Sequence, residues 1–136
     1  MALPIELNIV TAEKRLLSER VDEVRAPGGD GSFGVRPGHT PFLTRMEPGE
    51  LWFRAGGTSK RYAVSEGFIE VSADKVTVLA ESAEPAESID VERARKALVD
   101  AQDKLKGLGA ADPQHTLESG RAKRALARIA VATQKS

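Results

Sequence analysis

Gly28-Gly-Asp-Gly-Ser-Phe-Gly-Val-Arg-Pro-Gly-His-Thr-Pro-Phe-Leu43 carries four glycines in its first seven residues and then Pro37-Gly38-His39-Thr40-Pro41. Glycine accepts positive φ, and proline fixes φ while removing a donor, so the backbone here bends tightly and cannot extend into a long ladder. Phe33, Val35, Phe42 and Leu43 interrupt the turns and need burial. The pattern predicts two short strands joined by a stiff double turn. His39 sits in that turn, where a lone histidine reads as a hydrogen-bond partner for neighbouring backbone.

On both sides of this stretch the chain reads as short strands. Residues 5–10 alternate apolar and polar with period two, the mark of a half-buried strand. Residues 14–17 and 20–26 read as two more, with Val21 and Val24 supplying β-branched packing. Glu50–Arg54 forms a strand ending at Gly56-Gly57-Thr58, a hairpin break, with Arg61–Ser65 as its partner. Phe68–Ser72 and Val76–Ala80 flank Ala73-Asp74-Lys75, a short hairpin loop. Many short strands with turn signals between them argue for an antiparallel sandwich or flattened barrel.

Composition shifts at Ser82-Ala-Glu-Pro-Ala-Glu-Ser88, read as a linker in which Pro85 blocks continuation of the last strand. From Asp90 the period changes. Val91, Ala94, Leu98, Ala101, Leu105 and Leu108 make an apolar seam along one helix, with Asp90 as N-cap and Gly107 and Gly109 at its end. After the connection Ala110-Ala-Asp-Pro-Gln, a second helix is expected to present Ala122, Leu126, Ile129 and Thr133 on one face, with Gly120 weakening its first turn. Two helices with a short connection form an antiparallel hairpin. Its many alanines bury little area, and at about 25 cal/mol per Å² such a hairpin must lean on another surface. The fold class is α+β: a sandwich over residues 1–84, then a linker and helical hairpin over 85–136.

At 136 residues the chain holds one or two small domains, and its 20 basic and 20 acidic side chains balance. Overall attraction to nucleic acid or an acidic membrane is therefore not expected. The balance is uneven along the chain. Residues 1–88 have 10 Lys and Arg against 14 Asp and Glu, and residues 89–136 have 10 against 6. The absence of cysteine excludes disulfides and thiolate metal sites and suits a reducing compartment. No apolar run approaches the roughly 18 residues of a membrane span, and the N-terminus lacks a secretory pattern, so membrane association is expected only through a partner.

An enzyme reading finds no machinery. There are two histidines, no nucleophile turn and no G-x-x-x-x-G-K-[ST] phosphate loop, and Gly28-Gly-Asp-Gly lacks the helix and lysine that phosphate cradling needs. The carboxylate pairs Asp22/Glu23 and Glu13/Glu19 read as solvated surface. No catalytic residue, no metal site and no required cofactor are expected.

Taken in order, the glycine-rich turn with Pro-Gly-His-x-Pro-Phe-Leu, the early Ile9-Val10-Thr11-Ala12-Glu13, and the later Val64-Ser65-Glu66-Gly67-Phe68-Ile69-Glu70-Val71 and Val76-Thr77-Val78-Leu79-Ala80 resemble the ε-subunit family of the bacterial F-type ATP synthase. The resemblance is co-linear over nearly the whole chain. It implies a non-catalytic central-stalk subunit at the cytoplasmic face of the bacterial plasma membrane. Its sandwich would bind the γ subunit and the c-ring. Its hairpin would be mobile, extending toward the α and β subunits and restraining ATP hydrolysis. Asp30, Ser32 and Phe33 would approach the c-ring and, with Pro37, Gly38 and His39, hold the stalk. Because the family often has an acidic residue at the Ser32 position, that contact is expected to rest on shape and backbone more than charge.

The resemblance also implies ATP as a regulatory ligand. Ile89-Asp90-Val91-Glu92-Arg93-Ala94 matches the family's Ile/Leu-Asp-x-x-Arg-Ala segment, which belongs to an ATP site in some members. Arg124 and Arg128 match its two phosphate-contacting arginines and Glu84 an adenine-side residue, whereas Pro85 departs from the pattern. Guanidinium forks suit polyphosphate through charge-assisted, bidentate bonds. Phosphate is expected to act by relieving repulsion among arginines brought together when the two helices lie side by side. The alternative from another class is a stand-alone sandwich module for a sugar or peptide, marked by exposed aromatics on one face. The chain has six aromatic residues, and a sandwich core is expected to use most of them.

Overall fold

The computed structural model describes residues 5–38 and 41–134. Ten strands come first: β1 (Ile5–Val10), β2 (Arg15–Val21), β3 (Glu23–Gly28), β4 (Gly31–Val35), β5 (Phe42–Met46), β6 (Gly49–Ala55), β7 (Thr58–Val64), β8 (Gly67–Val71), β9 (Lys75–Ala80) and β10 (Ala83–Pro85). A 3-10 turn over Ala86–Ser88 leads to the helices α1 (Val91–Leu105) and α2 (Pro113–Thr133).

Hydrogen bonding orders the strands β10-β7-β6-β3-β5-β8-β9-β1-β2, with β4 on β3. The link between β3 and β5 is a single pair, Gly28 opposite Met46, so the ladder folds over there into two facing layers. Alternate residues from both layers fill the space between. Val24, Leu51, Phe53 and Val64 come from one, and Ile5, Leu7, Ile9, Ile69, Val76 and Val78 from the other. All but one of the pairings are antiparallel. β1 lies between β9 and β2 and runs parallel to β9, so the chain returns to its first strand at β9.

The glycine-rich stretch yields its two short strands, β4 and β5, but they do not pair with each other. β4 hairpins back onto β3 through Gly29-Asp30, and β5 joins β8. Gly31 has φ +117°, the left-handed region that a side chain resists. The strands expected at 14–17 and 20–26 divide instead at Asp22, whose carboxylate Oδ2 accepts from the Gly56 amide at 2.9 Å. The Gly56-Gly57 hairpin and the loop between β8 and β9 stand where the turn residues place them. Of the aromatics, Phe53 is fully buried and Phe33, Phe42 and Tyr62 pack at the core's margin. Trp52 lies under the Arg25 guanidinium at 4.3 Å, and Phe68 is exposed.

Pro85 does not end β9. It closes β10, an edge strand on β7, the kind of strand in which proline is tolerated. In α1 the Asp90 side chain accepts from the Arg93 amide as an N-cap, and Ala94 and Ala101 are the buried centre of the expected seam. α2 begins earlier than expected. Asp112 caps it, accepting from the Gln114 amide, Pro113 takes the first position, and Gly120 lies well inside. Its buried residues are Glu118, Ala122, Ala125 and Val131, while Leu126 is exposed. α2 rests on β6 and β7 through a small cluster of Ala63, Ile89 and Val131, and α1 packs on α2. No helix among the described residues is long and apolar enough to cross a membrane.

Candidate functional site

Two grooves stand out, one between sandwich and hairpin and one on the sandwich itself. The first, about 590 Å³, is walled by Glu84 on β10, Ser88 of the 3-10 turn, Asp90, Arg93, Ala94 and Ala97 at the start of α1, and Arg121, Arg124 and Arg128 on α2. Six of the seven residues expected at a nucleotide site thus converge on one cleft. The seventh, Ile89, turns away and is buried against Ala63 and Val131. Ile89 therefore positions the cleft by pinning the entry to α1.

Three of the four guanidiniums are already engaged. Arg128 Nε donates to Glu84 Oε1 at 2.9 Å, and Arg124 Nη1 donates to both Glu66 oxygens at 3.1 and 3.3 Å. Arg121 is drawn to Asp100 and Glu118, which Lys104 also approaches at 3.2 and 3.9 Å. The Arg121 hydrogen bond, with Lys104 beside it, holds the Asp100 carboxyl below its ordinary pKa. Arg93 forms no ion pair among the described residues. Arg121, Arg124 and Arg128 are thus each paired with carboxylates, supplied by α1, by α2 itself, by the β7–β8 connection and by β10. An anion would exchange with those carboxylates rather than relieve a cluster of like charge.

The second groove, also about 590 Å³, lies on the outer face of the sandwich along β5, β8, β9 and the end of β1. Phe68 and Leu79 stand opposite each other across β8 and β9, 50% and 44% exposed, and Leu43 on β5 is 65% exposed. Val10, Thr11, Ala12 and Arg45 extend the surface, and Glu66 and Glu81 edge it. The sequence reading missed this patch. Its signal was available: Phe68-Ile69 and Val78-Leu79 break the alternation, putting apolar side chains on both faces of β8 and β9. Gly67 stands at the same place because a Cβ there would lie 1.9 Å from the Leu79 carbonyl oxygen.

The β3–β4 tip carries the remaining expected contacts. Asp30 and Ser32 are exposed, and Phe33 packs edge-on against Phe42 with ring centres 5.4 Å apart, beside a cleft of about 340 Å³. Pro37 and Gly38 are exposed, with the Gly38 amide donating to the Ala73 carbonyl at 3.2 Å. His39 lies outside the described residues. Among those described, no group of three or more His, Asp or Glu is arranged to hold a metal.

Residues 4–86 match the family described as ATP synthase, Delta/Epsilon chain, beta-sandwich domain. The ATP synthase epsilon chain of Anaeromyxobacter sp. (strain Fw109-5) is 52% identical over 130 residues, 96% of this chain and 98% of that one. That of Myxococcus xanthus is 50% identical over 128 residues, 94% of each chain. A chain of the Euglena gracilis mitochondrial ATP synthase, solved with its c-ring, superposes with a TM-score of 0.83 at 25% identity, covering 98% of this chain and 84% of that one. A chain of the Tetrahymena thermophila central stalk and c-ring gives 0.64 at 15% identity over 96% and 97%, a likeness of fold alone.

Proposed function

The chain belongs to the ATP synthase delta/epsilon family, and from that premise we propose that it is the non-catalytic epsilon subunit of an F-type ATP synthase, joining the central stalk to the c-ring. The observation that carries this is the relationship at 52% identity across 98% of an epsilon chain, which takes in the hairpin as well as the sandwich. The subunit works as a mechanical part of a membrane-bound complex, at the cytoplasmic face of the plasma membrane, and reaches the membrane only through the c-ring. The apolar groove of Phe68 and Leu79, with Leu43 exposed on neighbouring β5, suits the γ subunit, since an exposed patch of this kind is a partner surface. The β3–β4 tip, Asp30 to Phe33, meets the c-ring. Residues 1–84 form the anchoring unit and 85–136 the regulatory one, which restrains ATP hydrolysis when it leaves the sandwich and extends between the α and β subunits.

Co-purification tests the assignment. The chain is expected to form a stable complex with γ, and Phe68→Asp to weaken it; a monomer that ignores γ overturns the reading. Asp30→Cys and Ser32→Cys are expected to cross-link to the polar loop of the c-ring.

The arginine groove is the place for ATP. Arg93, Arg124 and Arg128 reach it from both helices, so the ligand requires the hairpin to be closed and, by linkage, favours that state. At a hundredfold excess over the dissociation constant this linkage contributes about 2.7 kcal/mol, and near the dissociation constant only about 0.4 kcal/mol.

A further inference from the structure

We infer that Glu66 couples the arginine groove of the hairpin to the apolar groove of the sandwich, by competing with phosphate for Arg124. This rests on the reading of the arginine groove as a polyphosphate site. Glu66 lies in the connection between β7 and β8 and edges the apolar groove beside Gly67 and Phe68. Its two carboxylate oxygens accept from Arg124 Nη1, and Arg124 in turn lines the arginine groove. The two side chains are 32% and 42% exposed, open enough for a soluble anion to exchange with the carboxylate.

Two further observations single out this pair. The Arg128 partner, Glu84, belongs to the wall of the arginine groove itself, so its displacement stays within that groove. Glu66 is the arginine partner that lines the other groove. In addition, a Cβ at Gly120 would lie 3.3 Å from Arg124 Nη1 and 3.9 Å from Glu66 Oε2, so the glycine in mid-helix leaves the space in which the pair forms.

When a phosphate group takes Arg124, the Glu66 carboxylate loses its counter-charge and stands beside Phe68 and Leu79. The apolar groove then presents one more unpaired negative charge, which favours a partner with a basic side chain opposite it. By reciprocity such a partner, engaging Glu66, would free Arg124 and tighten phosphate binding by the same factor.

The test uses the full chain, calorimetry with ATP and separately with inorganic triphosphate, and amide chemical shifts of Gly67 and Phe68. Circular dichroism establishes that each variant retains its helices. Glu66→Gln is expected to bind both probes about fivefold more tightly than the unaltered chain, the range in which a part-exposed ion pair competes. Glu81→Gln removes a carboxylate from the same groove that forms no ion pair among the described residues, and is expected to bind as the unaltered chain does. Both probes should shift the Gly67 and Phe68 amides in the unaltered chain and leave them in place in Glu66→Gln. Equal binding by Glu66→Gln and the unaltered chain, or equal gains in both variants, overturns the coupling and leaves the phosphate site standing. Failure of all three proteins to bind either probe at several millimolar overturns the phosphate site, and the coupling with it.

Discussion

Single side chains do most in this molecule where they cross between elements. Arg124 and Arg128 reach from α2 to carboxylates on the sandwich, and they also supply the arginine groove with forks suited to phosphate. Arg128→Ala is expected to weaken ATP binding about tenfold or more in calorimetry, the loss of a charge-assisted hydrogen bond, and Arg124→Ala similarly. Unchanged affinity in both would reduce the arginines to latches. Gly67 is a different kind of constraint. Its α-hydrogen faces the Leu79 carbonyl so closely that any side chain must push β8 away from β9. Gly67→Ala is expected to destabilise the chain by about 1–3 kcal/mol, read as a lower urea midpoint with little change in slope.

The helices differ in how they are held. α1 has a strong seam and a good cap but touches mainly α2, whereas α2 has a weaker pattern and carries the contact with the sandwich. Since Asp112 satisfies the Gln114 amide at 2.9 Å, Asp112→Ala is expected to cost about 1 kcal/mol and to speed amide exchange in the first turn of α2. Exchange unchanged over residues 114–117 would show the cap to be idle. Between the helices, Asp100 joins Arg121 and Lys104. Its carboxyl is held below the ordinary value, chiefly by the Arg121 hydrogen bond, so the unfolded chain takes up a proton at a higher pH than the folded one. This contribution is complete above the ordinary carboxylate range, about pH 4, and is lost as pH falls through the lowered value. Asp100→Asn is expected to flatten that part of the acid limb of stability, and an identical acid profile would count against the pair.

At the scale of the whole molecule, sandwich and hairpin share a small apolar contact among the described residues. Ala63, Ile89 and Val131 are its buried members, against sixteen in the sandwich core. Polar links do the rest: Arg124 with Glu66, Arg128 with Glu84, and Arg61 Nη2 donating to the Gln134 carbonyl at 2.6 Å. A surface of this kind holds the hairpin without committing it. A chain ending at Glu84 is expected to fold, because every residue of the main core precedes that point, and to bind γ. The ATP synthase carrying it should hydrolyse ATP at least as fast as one with the full chain. Slower hydrolysis, or failure to assemble, would make the hairpin a structural part rather than a restraint.

The turns at Gly31 and Gly56, the cap at Asp90 and the seam of α1 were legible from the residues, because φ preference, capping and a Leu-rich period are properties of a few neighbouring positions. The start of α2 was misplaced: Asp112-Pro113 is its capping signal, whereas the reading from sequence puts those residues in the connection and Gly120 in the first turn. The buried face of α2 was not legible. Its alanines offer too little contrast for periodicity to choose between Leu126 and Ala125, and only docking on β6 and β7 leaves Leu126 in solvent. The convergence of Glu84, Asp90, Arg93, Arg124 and Arg128 was implied by family resemblance, but their partners were not. That Glu66, 58 positions before Arg124, would face it depends on where a loop of the sandwich meets a turn of the helix, a distance no local pattern encodes.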